Sequence, residues 1–364
     1  MNRADEPRNR MKLSDVANAL SAELLGDGSV EVTRLVHPAD ATGGGDLALA
    51  LTAEAVAGLD ATRAGAAVVR SGTEKPSAMP VLFYGGHERL ALAVLSGLFR
   101  RAPNHAPGVH ETAVVGRDTK IAASASIGPL VVVGTGSAVG ENSALLPGVT
   151  IGTNVTIGRD CLIFPGVRIA DGVKIGDRVV IQPNAVIGAD GYSFIPVRNP
   201  DGSRNPLETP ARIYSLGAVE IGDDVEIGAG VTIDRGTIRN TRIGRGTKID
   251  NQVQIAHNVV IGESCIICGL AGVAGSAVLG DRVILGGGVG VSDHVTIGSD
   301  ATVMAGAAVG TNIAAGLVVQ GLPAIPREQN VERFINIGRL RMLYPRVDDL
   351  AKRLEALEKR QQGG

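Results

Sequence analysis

Residues 243–309 read IGRGTKIDNQVQIAHNVVIGESCIICGLAGVAGSAVLGDRVILGGGVGVSDHVTIGSDATVMAGAAV. Stepping by six from Ile243, one meets Ile249, Ile255, Ile261, Ile267, Val273, Leu279, Leu285, Val291, Ile297, Val303 and Val309, a branched aliphatic at every step. Such a period matches neither a helix, at about 3.6 residues per turn, nor an alternating strand, at about 2. It is the signature of a hexapeptide β-helix. Three hexapeptides make one triangular coil, and the aliphatics of stacked coils share one continuous core.

The same step extends toward the N-terminus. Val115, Ile121, Ile127, Val133, Val139, Leu145, Ile151, Ile157, Ile163, Ile169, Ile175, Ile181 and Ile187 keep it without a miss. It returns at Ile221, Ile227 and Ile233, then slips by four residues before Ile243. Between the two runs, residues 188–217 dissolve into GADGYSFIPVRNPDGSRNPLETPARIYSLG. This reads as a loop extruded from one coil, and it holds Tyr192, Phe194 and Tyr214. Long loops on rigid scaffolds often carry function; a tolerated insertion is the plainer alternative.

The composition agrees with a small-residue solenoid. Glycine occurs 50 times and aromatics make up 2% of 364 residues, although 44% are hydrophobic. The glycines are expected at corners that require positive φ. A net charge of −2 gives no support to a nucleic-acid surface. Three cysteines make no disulfide framework. No apolar run is long enough to span a membrane, and Met1–Arg10 lacks a signal-peptide core, so the expectation is a soluble cytoplasmic protein.

The flanks differ. Residues 1–105 read as a small α+β domain. Ser14 reads as a helix N-cap, Val30–Val36, Ala66–Arg70 and Pro80–Tyr84 as strands, and His87–Arg100 as a helix. The prolines and glycine of Ala102–Gly108 mark a boundary. The β-helix then occupies 106–320. Residues 321–364 form a helical extension, with Gly321–Pro326 closing the solenoid and helices expected at 327–343 and 346–360. Val347, Leu350, Leu354 and Leu357 make a short a/d seam, suited equally to a three-helix contact or to packing on the chain's own coils.

Among six histidines, only His257 and His294 lie deep in the repeat. His257 follows inward Ile255 by two positions and so points off the coil. The two histidines fall on one face, two coils apart, about 10 Å along the axis. Asp250, Asn251, Gln254 and Asn258 gather polar groups around His257, and a neutral imidazole in such a setting can serve as a general base. Metal binding is the rival use. Two histidines two coils apart do not share an ion, Cys265-x-x-Cys268 has no second pair, and Cys265 falls at a small core slot, so no metal or cofactor is expected. Gly286–Gly288 reads as repeat corners, not as a phosphate loop.

The stretch IDRGTIRNTRIGRGTKIDNQVQIAHNVVIG (233–262) resembles the UDP-3-O-acylglucosamine N-acyltransferase family of lipid A biosynthesis, as do VIGADGYSF (186–194) and AGVAGSAVLG (271–280). The resemblance implies a mainly β fold, a left-handed parallel β-helix of hexapeptide repeats, and a homotrimer. It makes His257 the catalytic base, Gly275 the backbone N–H donor to the thioester oxyanion, and His294 a supporting active-site histidine. Asp250, Asn251 and Gln254 would line the substrate site, with Tyr192 and Phe194 offering further contacts. The donor would be a 3-hydroxyacyl chain on the phosphopantetheine of acyl carrier protein, the acceptor a UDP-sugar, with neither nucleic-acid partner nor membrane insertion.

Three further expectations follow. Val303–Val309 offers small residues for an acyl groove, with Ala308 a candidate determinant of chain length. The family's uracil-gripping aromatics and Asn are missing from Asp46–Glu54, which leaves the sugar nucleotide open. Phe83 and Tyr84 could substitute but fit a strand better. A carrier-protein dock on Arg333, Arg339, Arg341 and Arg346 competes with a plain solvated basic face.

Overall fold

The computed structural model describes residues 10–74, 79–100, 103, 105–203, 205, 208–321 and 326–362. The chain divides into two compact units, Met1–Asn104 and His105–Gly364.

The first unit is built on a five-stranded sheet in the order Glu23–Leu25, Val81–Tyr84, Ala66–Arg70, Asp46–Ala50, Arg34–Val36. The first pair is antiparallel and the rest are parallel. One core cluster joins Leu13, Val16 and Leu20 of helix Leu13–Leu20 and Ala91 and Leu95 of helix Glu88–Phe99 to Leu47, Val68 and Leu82 of the sheet. Ser14 is not the N-cap expected; the first helix begins at Leu13 behind Lys12, which makes no side-chain cap. His87 does cap the second helix, its Nδ1 accepting from the Arg89 N–H at 3.2 Å. Val30–Val36 resolves into two short strands, Glu31–Val32 and Arg34–Val36. Tyr84 is buried in the sheet, as its strand position required.

The second unit is a parallel β-helix. Its strands, mostly two residues long, assemble into three sheets of nine, eleven and ten strands. Register follows the repeat: Ile255 pairs with Val273, and Val273 with Val291. The insertion is absorbed without breaking the ladder, since Ile187 pairs directly with Ile233 and Ile233 with Ile255. The inward aliphatics from Ile127 to Val309 form one core with a second inward column two residues earlier, which includes Val253, Val259, Cys265 and Ala271. Each fully buried Ile or Val contributes roughly 1.5–3 kcal/mol. The first steps fall outside this core: Val115 is exposed and Ile121 half-buried, because no full coil lies beyond them. Burial pushes the Cys161 and Cys265 thiols up, consistent with inert core side chains.

The glycine excess has two causes: corners such as Gly136, Gly148, Gly166, Gly246 and Gly306 take positive φ as expected, and close stacking of the coils keeps side chains off a second group. Many left-handed corners are occupied by other residues, including Asn142, Asn154, Asn258, Ser276 and His294. Gly134 and Gly244, by contrast, have ordinary backbone angles. An added Cβ on either would strike the backbone of the next coil, at Gly152 and Gly262 respectively. Close stacking of coils, more than positive φ, excludes side chains there.

Within the interruption, Phe194–Ile195 pairs antiparallel with Ala211–Arg212 to make a hairpin. Residues 322–325, expected to close the solenoid, lie outside the described residues, as do Ala102 and Asn104 of the boundary segment. Beyond them the two expected helices are one, Arg327–Gln362, running through Pro345. Its seam residues Val347, Leu350, Leu354 and Leu357 are all exposed, so the seam does not pack on the chain's own coils.

Candidate active site

The strand Gln254–Ile255 ends at a corner where the chain turns through Ala256, His257 and Asn258 toward Val260–Ile261. Ile255 is locked into the core, so its neighbours two and three positions on must face outward. Asn258 takes the left-handed conformation, φ +61°, that closes the corner. The equivalent residues of the next coils, Ser276 and His294, repeat it at +62° and +57°. The corners are laced together by Ser276 N–H donating to His257 O at 2.9 Å and His294 N–H donating to Gly275 O at 3.1 Å. His257, Gly275 and His294 therefore follow one another along one edge, as the repeat arithmetic required of the two histidines.

The half-buried His257 ring is held from three sides. An added Cβ on Gly275 would stand 2.6 Å from its Cε1 and 2.9 Å from its Nε2. One on Gly191 would stand 2.7 Å from Cδ2 and 2.8 Å from the His257 Cβ. Neither glycine has positive φ, so the ring alone demands their lack of a side chain. Gly191 lies at the base of the extruded hairpin and donates its N–H to the buried Ser215 Oγ at 3.2 Å. On the third side, Asn258 Nδ2 faces His257 Nδ1 at 3.0 Å. The Gly275 N–H has no hydrogen-bond acceptor among the described residues, which leaves it available beside Nε2.

Asp234 is the site residue that sequence reasoning missed. Its neighbour Ile233 pairs with Ile255, which puts Asp234 across the sheet from the start of the His257 corner. Burial pushes its carboxyl above the usual carboxylate range, partly opposed by a hydrogen bond from Gln254 Nε2 at 3.1 Å and by the charge of His257. Thr232 Oγ1 donates to Gln254 Oε1, so the Gln254 amide is held at both ends. Counting by coil lengths could not find Asp234, because the slip before Ile243 shifts it out of step.

An open groove of about 470 Å³ runs from Gln254 and Ala256 past Gly272, Ala274, Gly290 and Ser292 to Ala308. It spans three strand steps, about 14 Å at the usual spacing of parallel strands. No atom stands within 4 Å of a Cβ placed on Gly272 or Gly290, so two missing side chains open its floor. The groove takes in only the end of Val303–Val309, at Ala308, the residue expected to bear on chain length. Only Ala308 of that segment lines it, since Thr302–Val303 belongs to the neighbouring sheet.

Asp250 and Asn251 occupy the opposite corner of the coil and brace backbone there. Asp250 accepts from Gly269 N–H at 2.9 Å and Asn251 N–H at 2.7 Å; Asn251 Oδ1 accepts from Ala229 N–H at 2.7 Å. Tyr192 and Phe194 continue from Gly191 into the hairpin, edge to face at 5.0 Å, with Tyr192 87% exposed. Arg212, paired with Asp190 at 2.7 Å, lies within 6 Å of the Phe194 and Tyr214 rings. No cluster of three His, Cys, Asp or Glu side chains suited to a metal occurs among the described residues.

Residues 154–189 and 240–275 match the bacterial transferase hexapeptide (six repeats) family model. The UDP-3-O-acylglucosamine N-acyltransferase of Ruegeria pomeroyi is 43% identical over 224 residues, covering 58% of this chain and 61% of that protein. UDP-3-O-acylglucosamine N-acyltransferase 1 of Koribacter versatilis is 51% identical over 195 residues, covering 53% and 56%. The chain thus spans about three fifths of the length of these curated relatives. A solved UDP-N-acetylglucosamine acyltransferase of Francisella novicida shares 27% identity at a TM-score of 0.45, covering 62% of this chain and 73% of that one. The strand register and the repeat make the chain a hexapeptide-repeat β-helix, and over more than half of its length it is similar to the UDP-3-O-acylglucosamine N-acyltransferases.

Proposed function

We propose that this protein is an N-acyltransferase that moves a 3-hydroxyacyl chain from an acyl carrier protein thioester to the 2-amine of UDP-3-O-acylglucosamine. One observation carries this reading: the His257 ring is wedged between two glycines, with a free Gly275 N–H beside its Nε2, and its chain neighbour Ala256 lines a groove floored by glycine. The amine attacks the thioester carbonyl as His257 takes its proton, and the Gly275 N–H donates to the oxyanion that forms. The thiolate then leaves and recovers the proton from His257. Asp234 supports the imidazolium that exists between those steps. His294, two coils along the same edge, contacts the donor arm. Tyr192 and Phe194 meet the acceptor, while Asp250 and Asn251 shape the coil beneath the site.

This chemistry calls on neither metal nor bound cofactor, because the thioester supplies the driving force. The exposed seam of the C-terminal helix suits a homotrimer, and Arg333, Arg339, Arg341 and Arg346 on the same helix suit an acidic carrier protein. No described helix is long and apolar enough to cross a membrane.

The test is acyl transfer from 3-hydroxyacyl carrier protein to UDP-3-O-acylglucosamine by the wild type and by His257→Ala. A loss of about 10²–10⁴-fold in turnover is expected in the mutant. Normal turnover there removes His257 as the base. A second acceptor, another amino- or hydroxy-sugar nucleotide, is favoured by one feature: Asp46 at the start of Asp46–Glu54 is spent on Arg34 and on the Thr42 and Gly43 N–H groups. Failure on UDP-3-O-acylglucosamine with turnover on another UDP-sugar selects that reading.

A further inference from the structure

The Asn258 amide has only one orientation that satisfies its neighbours. Its Oδ1 accepts from the Thr237 backbone N–H at 2.8 Å, and a backbone N–H can only donate. The two Nδ2 hydrogens are then committed, one to Thr237 Oγ1 at 3.1 Å and the other to His257 Nδ1 at 3.0 Å. Turning the amide over would set Nδ2 against the Thr237 N–H, donor against donor. Asn258 is anchored further by its own N–H, which donates to Thr241 Oγ1 at 3.0 Å. His257 Nδ1 is therefore an acceptor, and the hydrogen of the neutral ring resides on Nε2.

A ring in that state cannot take a proton at Nε2, the nitrogen beside Gly275. A base acting there needs its hydrogen on Nδ1, facing an acceptor. We propose that Asn258 is a positioning residue that stores His257 as the Nε2–H tautomer and arms it by turning its amide. The turn offers Oδ1 to an Nδ1–H and breaks the bond to the Thr237 N–H. The ring exchanges its proton through water, losing one from Nε2 and gaining one at Nδ1. On attack the amine nitrogen bonds to the carbonyl carbon and its proton passes to Nε2. When the carbon–sulfur bond breaks, the thiolate takes that proton and the ring returns to neutral.

The means of release is built into the same turn. The Thr237 C=O accepts from the Leu216 N–H at 2.7 Å, and Leu216 ends the hairpin whose other base residue, Gly191, lies against His257. Whatever settles on the hairpin therefore reaches both the ring and the contact that holds Asn258. The inference rests on His257 being the base, and its first readout needs no substrate.

That readout is the nitrogen-15 spectrum of histidine-labelled full-length protein at about pH 9, well above the reference imidazole pKa of about 6.5, with the His257 signals assigned by their loss in His257→Gln. The expected wild-type spectrum places the hydrogen on Nε2. A hydrogen on Nδ1 overturns the proposal. In Asn258→Asp, one carboxylate oxygen can accept from Thr237 N–H and the other from an Nδ1–H, with no turn required. Aspartate also tolerates the left-handed backbone. The spectrum of Asn258→Asp should show the hydrogen moved to Nδ1, with turnover no lower than wild type; an unmoved hydrogen, or a folded variant slowed tenfold, overturns the proposal. Asn258→Leu, without either partner, should show both tautomers and turn over about tenfold more slowly. If the wild type transfers no acyl group to any tested acceptor while its spectrum shows Nε2–H, the functional reading fails and the tautomer assignment stands.

Discussion

Corners of the same β-helix, built on the same repeat, are finished in two ways. After Ile151, Ile157, Ile175, Ile261 and Leu279, the outward N–H of the corner is capped by a side chain of the next coil. Thr153 N–H donates to Asp171 Oδ1 at 2.6 Å, Arg159 to Asp177 at 2.8 Å, Asp177 to Asp223 at 2.8 Å, Glu263 to Asp281 at 2.9 Å and Asp281 to Ser299 Oγ at 3.0 Å. After Ile255 the corresponding residue of the next coil is Gly275, which has nothing to cap with, and its own N–H is left open. Closed corners spend their donors on holding coils together. Among the described residues, donors are left open after Ile243, Leu285 and Val303 as well; at the His257 corner an open one stands beside an imidazole, which is what a site that must stabilise developing negative charge requires.

The largest expected effect comes from closing the open corner. Gly275→Ala and Gly191→Ala both place a methyl group against the His257 ring. Each should lower kcat about 10²-fold with little change in melting temperature, because a displacement of order 1 Å suffices for such a loss. Steady-state kinetics beside thermal melts would separate this from unfolding. Wild-type kcat in both variants breaks the contrast.

A carboxylate that caps amides outside the β-helix supplies the stability control. Arg34 beside Asp46, together with the Thr42 and Gly43 N–H groups, holds the Asp46 carboxyl down to about 2. A depressed carboxyl contributes stability that is present above about pH 4 and is lost as pH falls toward about 2, here about 2 kcal/mol. Denaturant titrations of wild type and Asp46→Asn at pH 7 and pH 3 should show a gap that narrows in acid. A gap independent of pH assigns the loss to packing instead.

A smaller effect is expected from the groove floor. Gly290→Leu fills space that no neighbouring atom occupies and should raise the KM for long acyl donors about tenfold, while short donors are used as before. Ala308→Met should shorten the preferred chain, since Ala308 lies at the far end of the same groove. An unchanged acyl-length profile in both variants separates the groove from acyl binding. The smallest effect belongs to a closed corner: Asp281→Ala should cost about 1 kcal/mol or less in unfolding free energy and leave kcat unchanged.

Much of this was legible in one dimension. The step of six from Val115 to Val309 gave the coil, the core column and the shared face of His257 and His294, because a parallel ladder maps sequence distance directly onto height along the axis; Gly275 came from the resemblance. What the step could not reach were contacts that depend on departures from it. Gly191 touches His257 only because the hairpin returns to its own base. Asp234 and Thr237 reach the site only because the slip before Ile243 moves them out of phase. Asp250 and Asn251 lie within seven residues of His257 in sequence, and the strand between carries them to another corner of the triangle.

The sequence by itself determined a solenoid with an aliphatic core, a histidine facing out of it, and the family that the stretch 233–262 resembles. Tertiary structure decided which neighbours that histidine has. Periodic positions are fixed by burial, which the pattern of aliphatics records. The ring's contacts come from a hairpin and a turn that interrupt the period, and only folding brings those interruptions against the corner they serve.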